Sequence, residues 1–280
     1  MNTLISTADL AERLGAPNLI ILDARFILDD EQWGTRTYLE GHIPGAIRAD
    51  LATDLAGPII EGVTGRRPFP TVAEFAATCA AWGIDDSKDV VVYDADRGLM
   101  AASRTWFMLN WLGHDRVWVL DGGLGAWLAE GRPVEPGNVI GVPATFSARE
   151  RPEMLAFVDE VDFVRRDPAF AVYDSRSAEG YHGGGVYHDP VRGHIAGAGL
   201  ADRADTMAPD GRFKSPEELR AHFAPLVDER PSERVIFYCG SGVTAAQNVV
   251  AMVHAGYEMP RMYVGSWSEW ITDPSREVEL

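Results

Sequence analysis

The chain has 280 residues, 46% of them hydrophobic, which is enough for one large domain or two ordinary ones and excludes wholesale disorder. Its 42 acidic against 25 basic residues argue against a nucleic-acid scaffold and against docking by charge on anionic lipid. Its 2 cysteines make no disulfide framework, and no apolar run approaches the roughly 20 residues that span a bilayer.

The N-terminal "STADLAERL" reads as a capped amphipathic helix, not a signal peptide, so a reducing, cytoplasmic setting is expected. "LIILD" follows, a near-continuous apolar run closing on a polar residue. "VVVYD" and "VWVLD" repeat that form, which suits strands buried on both faces of a parallel sheet. "TVAEFAATCAAWGI" and, later, "SPEELRAHFAPLV" are amphipathic helices with Thr71 and Ser215 as N-caps. Cys79 falls on the apolar side of the first of these and reads as core.

The second half restates the first. "IILDARF" is answered by "AVYDSRS", "GHIPGA" by "GHIAGA", "VVVYDADRGLMAASRTWFML" by "VIFYCGSGVTAAQNVVAM", and "LDGGLGAW" by "YVGSWSEW". The order is kept, and the offset drifts only from 174 − 23 = 151 to 265 − 122 = 143. Between the halves, residues 131–153 carry four prolines and three glycines with no sustained period, as a linker does. The expected division is a first domain over 1–135, a linker over 136–151 and a second domain over 152–280. Each domain is expected to be α/β, a mostly parallel sheet flanked by helices.

In open sheets of this kind ligands sit beyond the carboxyl ends of strands, and Cys239 stands at such an end. A thiol is a weak nucleophile until it ionises, with an ordinary pKa of about 8.5. The loop Gly240-Ser241-Gly242-Val243-Thr244 lets backbone N–H groups converge on the sulfur, and the helix predicted to follow points its positive end there. The first half has Asp94 at the matching position, so one copy carries the nucleophile and the other supports it.

The ordered set of Asp-x-Arg, G-H-I-P-G-A, cysteine loop and glycine-tryptophan segment resembles the tandem rhodanese-domain sulfurtransferases over nearly the whole chain. "CGSGVT" is similar to the loop of their 3-mercaptopyruvate branch, whereas the thiosulfate branch typically has a more basic loop. The resemblance implies two rhodanese-like domains and a Cys239 persulfide. It implies a small sulfur donor and a thiol or other acceptor, a thioredoxin-like protein being one candidate. No Cys/His cluster has zinc spacing, and neither metal nor cofactor is expected. The resemblance also implies that Ser241 and Asp50 polarise the donor and relay a proton. Gly240, Gly242, Val243, Thr244 and Arg67 would line the donor site. Arg67 stands where relatives often have histidine, and Gly180 and His182 stand where relatives have basic residues. Asp23-Arg25, Asp174-Arg176, His42 and His194 occur in both halves and are expected to hold the fold.

The neutral loop favours mercaptopyruvate as donor over the dianion thiosulfate. A thiosulfate:cyanide-type sulfurtransferase is the alternative within the family. A non-enzymatic persulfide carrier or partner-binding module is the alternative outside it. A cysteine-dependent phosphatase would need an arginine at the far end of the loop, where this chain has Ala245.

Overall fold

A computed structural model describes residues 3–95, 100–185 and 188–280. The chain falls into two compact units. The first comprises Met1–Gly57, Phe69–Arg151 and Ala208–Phe213, and the second Pro58–Pro68, Pro152–Met207 and Lys214–Leu280.

The first unit has strands β1 (Leu4–Ile5), β2 (Leu19–Asp23), β3 (Ala46–Arg48), β4 (Asp89–Tyr93) and β5 (Val117–Leu120). All pair in parallel, in the order β1-β5-β4-β2-β3. Every residue of β4 is buried, as a strand covered on both faces requires. Helices α1 (Thr7–Arg13), α2 (Trp33–Glu40), α3 (Val72–Ala81), α4 (Ala101–Trp111) and α5 (Gly123–Ala129) belong to this unit. Thr71 caps α3 as expected, and Glu74 reaches back to complete a capping box. The predicted linker is docked on this unit: the N–H groups of Ala144, Arg149 and Arg151 donate to the carbonyls of Ala80, Leu112 and Trp111.

The second unit repeats the plan with β6 (Leu155–Ala156), β7 (Ala171–Asp174), β8 (His194–Ile195), β9 (Gly199–Leu200), β10 (Val235–Tyr238), β11 (Arg261–Tyr263) and β12 (Val278–Glu279). Five of these form a parallel sheet in the order β6-β11-β10-β7-β9, while β12 and β8 make a small antiparallel ribbon. Helices α6 (Val158–Val164), α7 (Ala178–Tyr181), α8 (Pro216–Val227), α9 (Ala245–His254) and α10 (Ser266–Trp270) complete it. Ser215 caps α8 with a capping box of its own.

The duplication extends to register. Tyr93 is paired with Asp23 across β4 and β2, and Tyr238 with Asp174 across β10 and β7. The cores correspond as well: Tyr93, Leu120, Leu124 and Trp127 pack in one, Tyr238, Tyr263, Trp267 and Trp270 in the other.

Two segments depart from chain order, Ala208–Phe213 in the first unit and Pro58–Pro68 in the second. Residues Pro58–Pro68 pack with the second unit, where the Arg66 N–H donates to Ser268 Oγ at 3.0 Å. Gly65 lies so close to α10 that a Cβ there would stand 2.5 Å from the Gly265 carbonyl oxygen. Among the described residues no helix is long and apolar enough to cross a membrane.

Candidate active site

β10 is a fully buried strand, and it delivers Cys239 at its carboxyl end with 1% of its surface exposed. Three hydrogen bonds fix the backbone there. The Cys239 N–H donates to Ser266 Oγ at 3.1 Å, and the Cys239 carbonyl accepts from the Trp267 N–H at 3.0 Å. The Gly240 carbonyl accepts from the Ser268 N–H at 2.9 Å. The first turn of α10 thus clamps the start of the loop.

Two opposed effects act on the sulfur. Burial pushes the thiol up, and the nearby Asp174 charge adds to that. The Thr244 hydroxyl and the N–H groups of Ser241 and Ala245 all hydrogen-bond the sulfur and outweigh both, so the thiol lies below the ordinary cysteine value. Thr244 is the N-cap residue of α9, yet its side chain makes no capping bond. Gly242 makes the turn possible. Its φ is +71°, and a Cβ would fall 2.1 Å from the Val264 carbonyl oxygen. Ser241 and Val243 are buried beside it.

α9 is buried along almost its whole length, and its polar residues are tied down. Gln247 donates to the Arg203 carbonyl and to Thr206 Oγ1, and Asn248 to Ser175 Oγ and the Ala201 carbonyl. Cys79, inside α3, is fully buried, and burial drives its thiol far above the ordinary value.

The duplicated motifs are tied into the fold, buried except for Arg176, which is part-buried. Arg25 engages both Asp23 oxygens and donates to the Gly41 carbonyl at 2.7 Å. Arg176 engages both Asp174 oxygens and donates to the Gly193 carbonyl at 2.6 Å. His42 stacks on Tyr38 and His194 on Tyr181, and in each pair the histidine Nδ1 meets the tyrosine carbonyl. Among the described residues no group of three or more His, Cys, Asp or Glu side chains could hold a metal ion.

Ser266 does not stand out in the sequence. It is fully buried with φ +56°, a left-handed conformation that side chains rarely adopt. Its hydroxyl both receives the Cys239 N–H and donates to the Tyr263 carbonyl at 2.9 Å. The matching residue of the first unit is Gly123, with φ +57°. A serine kept where glycine fits without strain is the local signal that could have exposed it.

Nor does Arg66. The loop has no cation of its own, but Arg66 Nη2 stands 3.5 Å from the point a Gly240 Cβ would occupy, and Arg176 Cδ 4.0 Å from it. Burial holds the Arg66 guanidinium below its ordinary value, while the Cys239 charge pulls it up and the neighbouring Arg67 and Arg176 charges push it down. Arg66 is ion-paired with Asp189. Arg67 is half-buried in the same segment of the second unit. Of the doublet in "GRRPFP", the family resemblance singles out Arg67, and no sequence signal points to Arg66.

Gly180 sits in α7, where its N–H donates to the Ser177 cap, and His182 lies edge-on to Tyr181. Arg203 turns toward Gln247 Oε1 at 3.4 Å. Asp50 belongs to the first unit, where it accepts from Arg48 at 3.0 Å and from the Ala52 N–H at 2.8 Å. Asp94 occupies the position of Cys239 there. Its carboxylate accepts from the Met100 N–H at 2.9 Å and the Ala102 N–H at 3.4 Å. Residues 96–99 of that repeated stretch lie outside the described residues.

The rhodanese-like domain family matches residues 6–130 and 158–273. A Pseudomonas aeruginosa protein named "Probable 3-mercaptopyruvate sulfurtransferase" is 44% identical over 276 residues, covering 98% of this chain and 97% of that protein. The thiosulfate sulfurtransferase of Bos taurus is 36% identical over 278 residues, covering 95% of this chain and 91% of that one. The solved 3-mercaptopyruvate sulfurtransferase from Leishmania major superposes with a TM-score of 0.85 at 31% identity, covering 96% of this chain and 74% of that chain.

Proposed function

This chain belongs to the tandem rhodanese-domain sulfurtransferases, and on that premise we propose that it moves sulfur from 3-mercaptopyruvate through a Cys239 persulfide to a thiol acceptor. One observation carries the reading: a buried thiol lowered by the Thr244 hydroxyl and two backbone N–H groups at the start of a helix. That cradle favours a thiolate, and it suits the charge of a persulfide equally well.

In the proposed first step the Cys239 thiolate attacks the donor sulfur, forming an S–S bond. The donor C–S bond breaks, and its electron pair stays on carbon as the enolate of pyruvate, which then takes up a proton. In the second step an acceptor thiolate attacks the outer sulfur and Cys239 leaves as thiolate. Ser241 is proposed to hydrogen-bond the keto oxygen as charge grows on it. Gly240, Gly242, Val243 and Thr244 shape the donor site, with Arg67 a further candidate contact. Asp50 is proposed as the proton-relay carboxylate on family resemblance alone.

Mercaptopyruvate is favoured because Gly-Ser-Gly-Val contributes hydrogen-bond donors and no charge. One observation speaks for thiosulfate instead: Arg66 brings a cation to Gly240 from another segment. A donor panel decides, and kcat/KM for mercaptopyruvate is expected to exceed that for thiosulfate. The reverse order would overturn the donor assignment and leave sulfur transfer intact. The proposed acceptor is a reduced thiol, a thioredoxin-like protein being one candidate, in a reducing compartment such as the cytoplasm. Both cysteines are free thiols, which suits that setting.

A further inference from the structure

We infer that Arg66 is the donor-recognising cation of this site and that Asp189 is a built-in competitor for it, so the pair sets how tightly an anionic donor is held above Cys239. The inference rests on the sulfur-transfer reading and adds the residue that selects the donor.

Four observations carry it. First, Gly240 has no side chain, and the heavy atom nearest the point its Cβ would occupy is Arg66 Nη2, at 3.5 Å. Second, the Arg66 backbone is held in place by Ser268. Ser268 Oγ accepts the Arg66 N–H, while the Ser268 N–H donates to the Gly240 carbonyl. One residue therefore sets the spacing between the arginine and the cysteine loop. Third, Arg176 approaches Gly240 only with its Cδ, and two of its nitrogens are engaged by Asp174 and the Gly193 carbonyl. It is stacked over Trp267, its central carbon 5.1 Å from the ring centroid. Fourth, Arg66 meets Asp189 through Nη1, so the nitrogen that bonds Asp189 is not the one nearest Gly240.

A guanidinium binds a carboxylate through two parallel N–H bonds, and its planar fork imposes orientation as well as affinity. The Arg66 side chain is 33% exposed and that of Asp189 11%, so the pair is partly desolvated and its charges matter to each other. A donor carboxylate arriving at Arg66 must share the guanidinium with Asp189. The competition makes a definite prediction: removing Asp189 strengthens donor binding.

The test uses the full chain with steady-state kinetics on both donors. Arg66→Gln is expected to raise KM for mercaptopyruvate about 10- to 100-fold, the worth of a charge-assisted hydrogen bond, with kcat changed less than about 3-fold. Arg66→Lys should fall between it and the wild type. Asp189→Asn should lower KM, a gain that misfolding cannot produce. A second readout is independent of turnover: binding of pyruvate, which lacks the transferable sulfur, to Cys239→Ser protein by calorimetry. Pyruvate should bind, and adding Arg66→Gln should weaken it by the same factor. If wild-type protein turns over neither donor, the sulfur-transfer reading fails, while pyruvate binding still decides the role of Arg66. Unchanged KM and pyruvate affinity in Arg66→Gln, no pyruvate binding, or weaker donor binding in Asp189→Asn would each overturn the inference.

Discussion

At the end of β4 the chain delivers Asp94, and at the end of β10, in matching register, it delivers Cys239. Both carbonyls accept from the following short helix, Asp94 from the Leu124 N–H at 2.9 Å and Cys239 from the Trp267 N–H at 3.0 Å. Both side chains face the start of a buried helix, and both receive backbone N–H groups there. The scaffold is a cradle for one negative charge at a strand end. What differs is the anion. A carboxylate in the cradle accepts the N–H groups at the helix start and caps it. A thiolate in the same place is a nucleophile that can accept and release sulfur. The supports differ in one respect as well: the first unit has Gly123 where the second has Ser266, whose hydroxyl takes the Cys239 N–H. Duplication supplied the cradle twice, and the proposed chemistry depends on which atom lies in it.

The sharpest way to break that comparison is to give the second unit the first unit's residue. Cys239→Asp should abolish sulfur transfer, by at least about 10⁴-fold, as loss of a nucleophile does. It should leave the melting temperature within a few degrees, because the equivalent site already holds an aspartate. Unfolding of this variant would mean that the two cradles are not equivalent.

Next in size are the shared supports. Arg25→Met and Arg176→Met each strand a buried aspartate, which costs about 3–5 kcal/mol. Denaturant unfolding should show similar losses for the two. A large effect at only one of them would refute a common structural role.

A smaller effect is expected from the sulfur's hydroxyl partner. Thr244→Val removes a hydrogen bond that lowers the Cys239 pKa, so the thiol should ionise at higher pH. The sign is fixed: the alkaline rise in alkylation rate by iodoacetamide moves upward in pH. At a pH below both pKa values, the variant holds less thiolate and reacts more slowly than the wild type. An unmoved profile would show that backbone N–H groups alone hold the charge. The smallest change is Ser266→Gly, which copies the first unit. Relief of the left-handed serine, of order 1 kcal/mol, should offset much of the lost hydrogen bond, about 0.5–1.5 kcal/mol. Stability should therefore stay near wild type while kcat falls about 2- to 10-fold. An unchanged kcat would show that the Cys239 backbone needs no such anchor.

Much of this is legible in the sequence because the signals are local. The strands are short apolar runs closing on Asp23, Tyr93 or Tyr238, and the helix starts at Thr71 and Ser215 are one-residue signals. Cys239 can be singled out because it closes such a run and is followed by glycine. The rest depends on contacts between residues far apart in the chain. Arg66 and Arg67 are adjacent and chemically identical, and the first is marked out by its hydrogen bond to Ser268, its ion pair with Asp189 and its approach to Gly240. Ser266 looks like any helix-start serine until its φ of +56° is seen. A neutral loop sequence suggests a neutral surrounding, but the charge beside it comes from residue 66, folded in from another stretch of chain.

The most direct measurement of the central claim is the intact mass of the protein after donor treatment without acceptor. Wild type and Cys79→Ser should each gain one sulfur, about 32 Da, and lose it when a thiol acceptor is added. Cys239→Ser should gain none. Sulfur bound to Cys79, or turnover that continues in Cys239→Ser, would contradict the account.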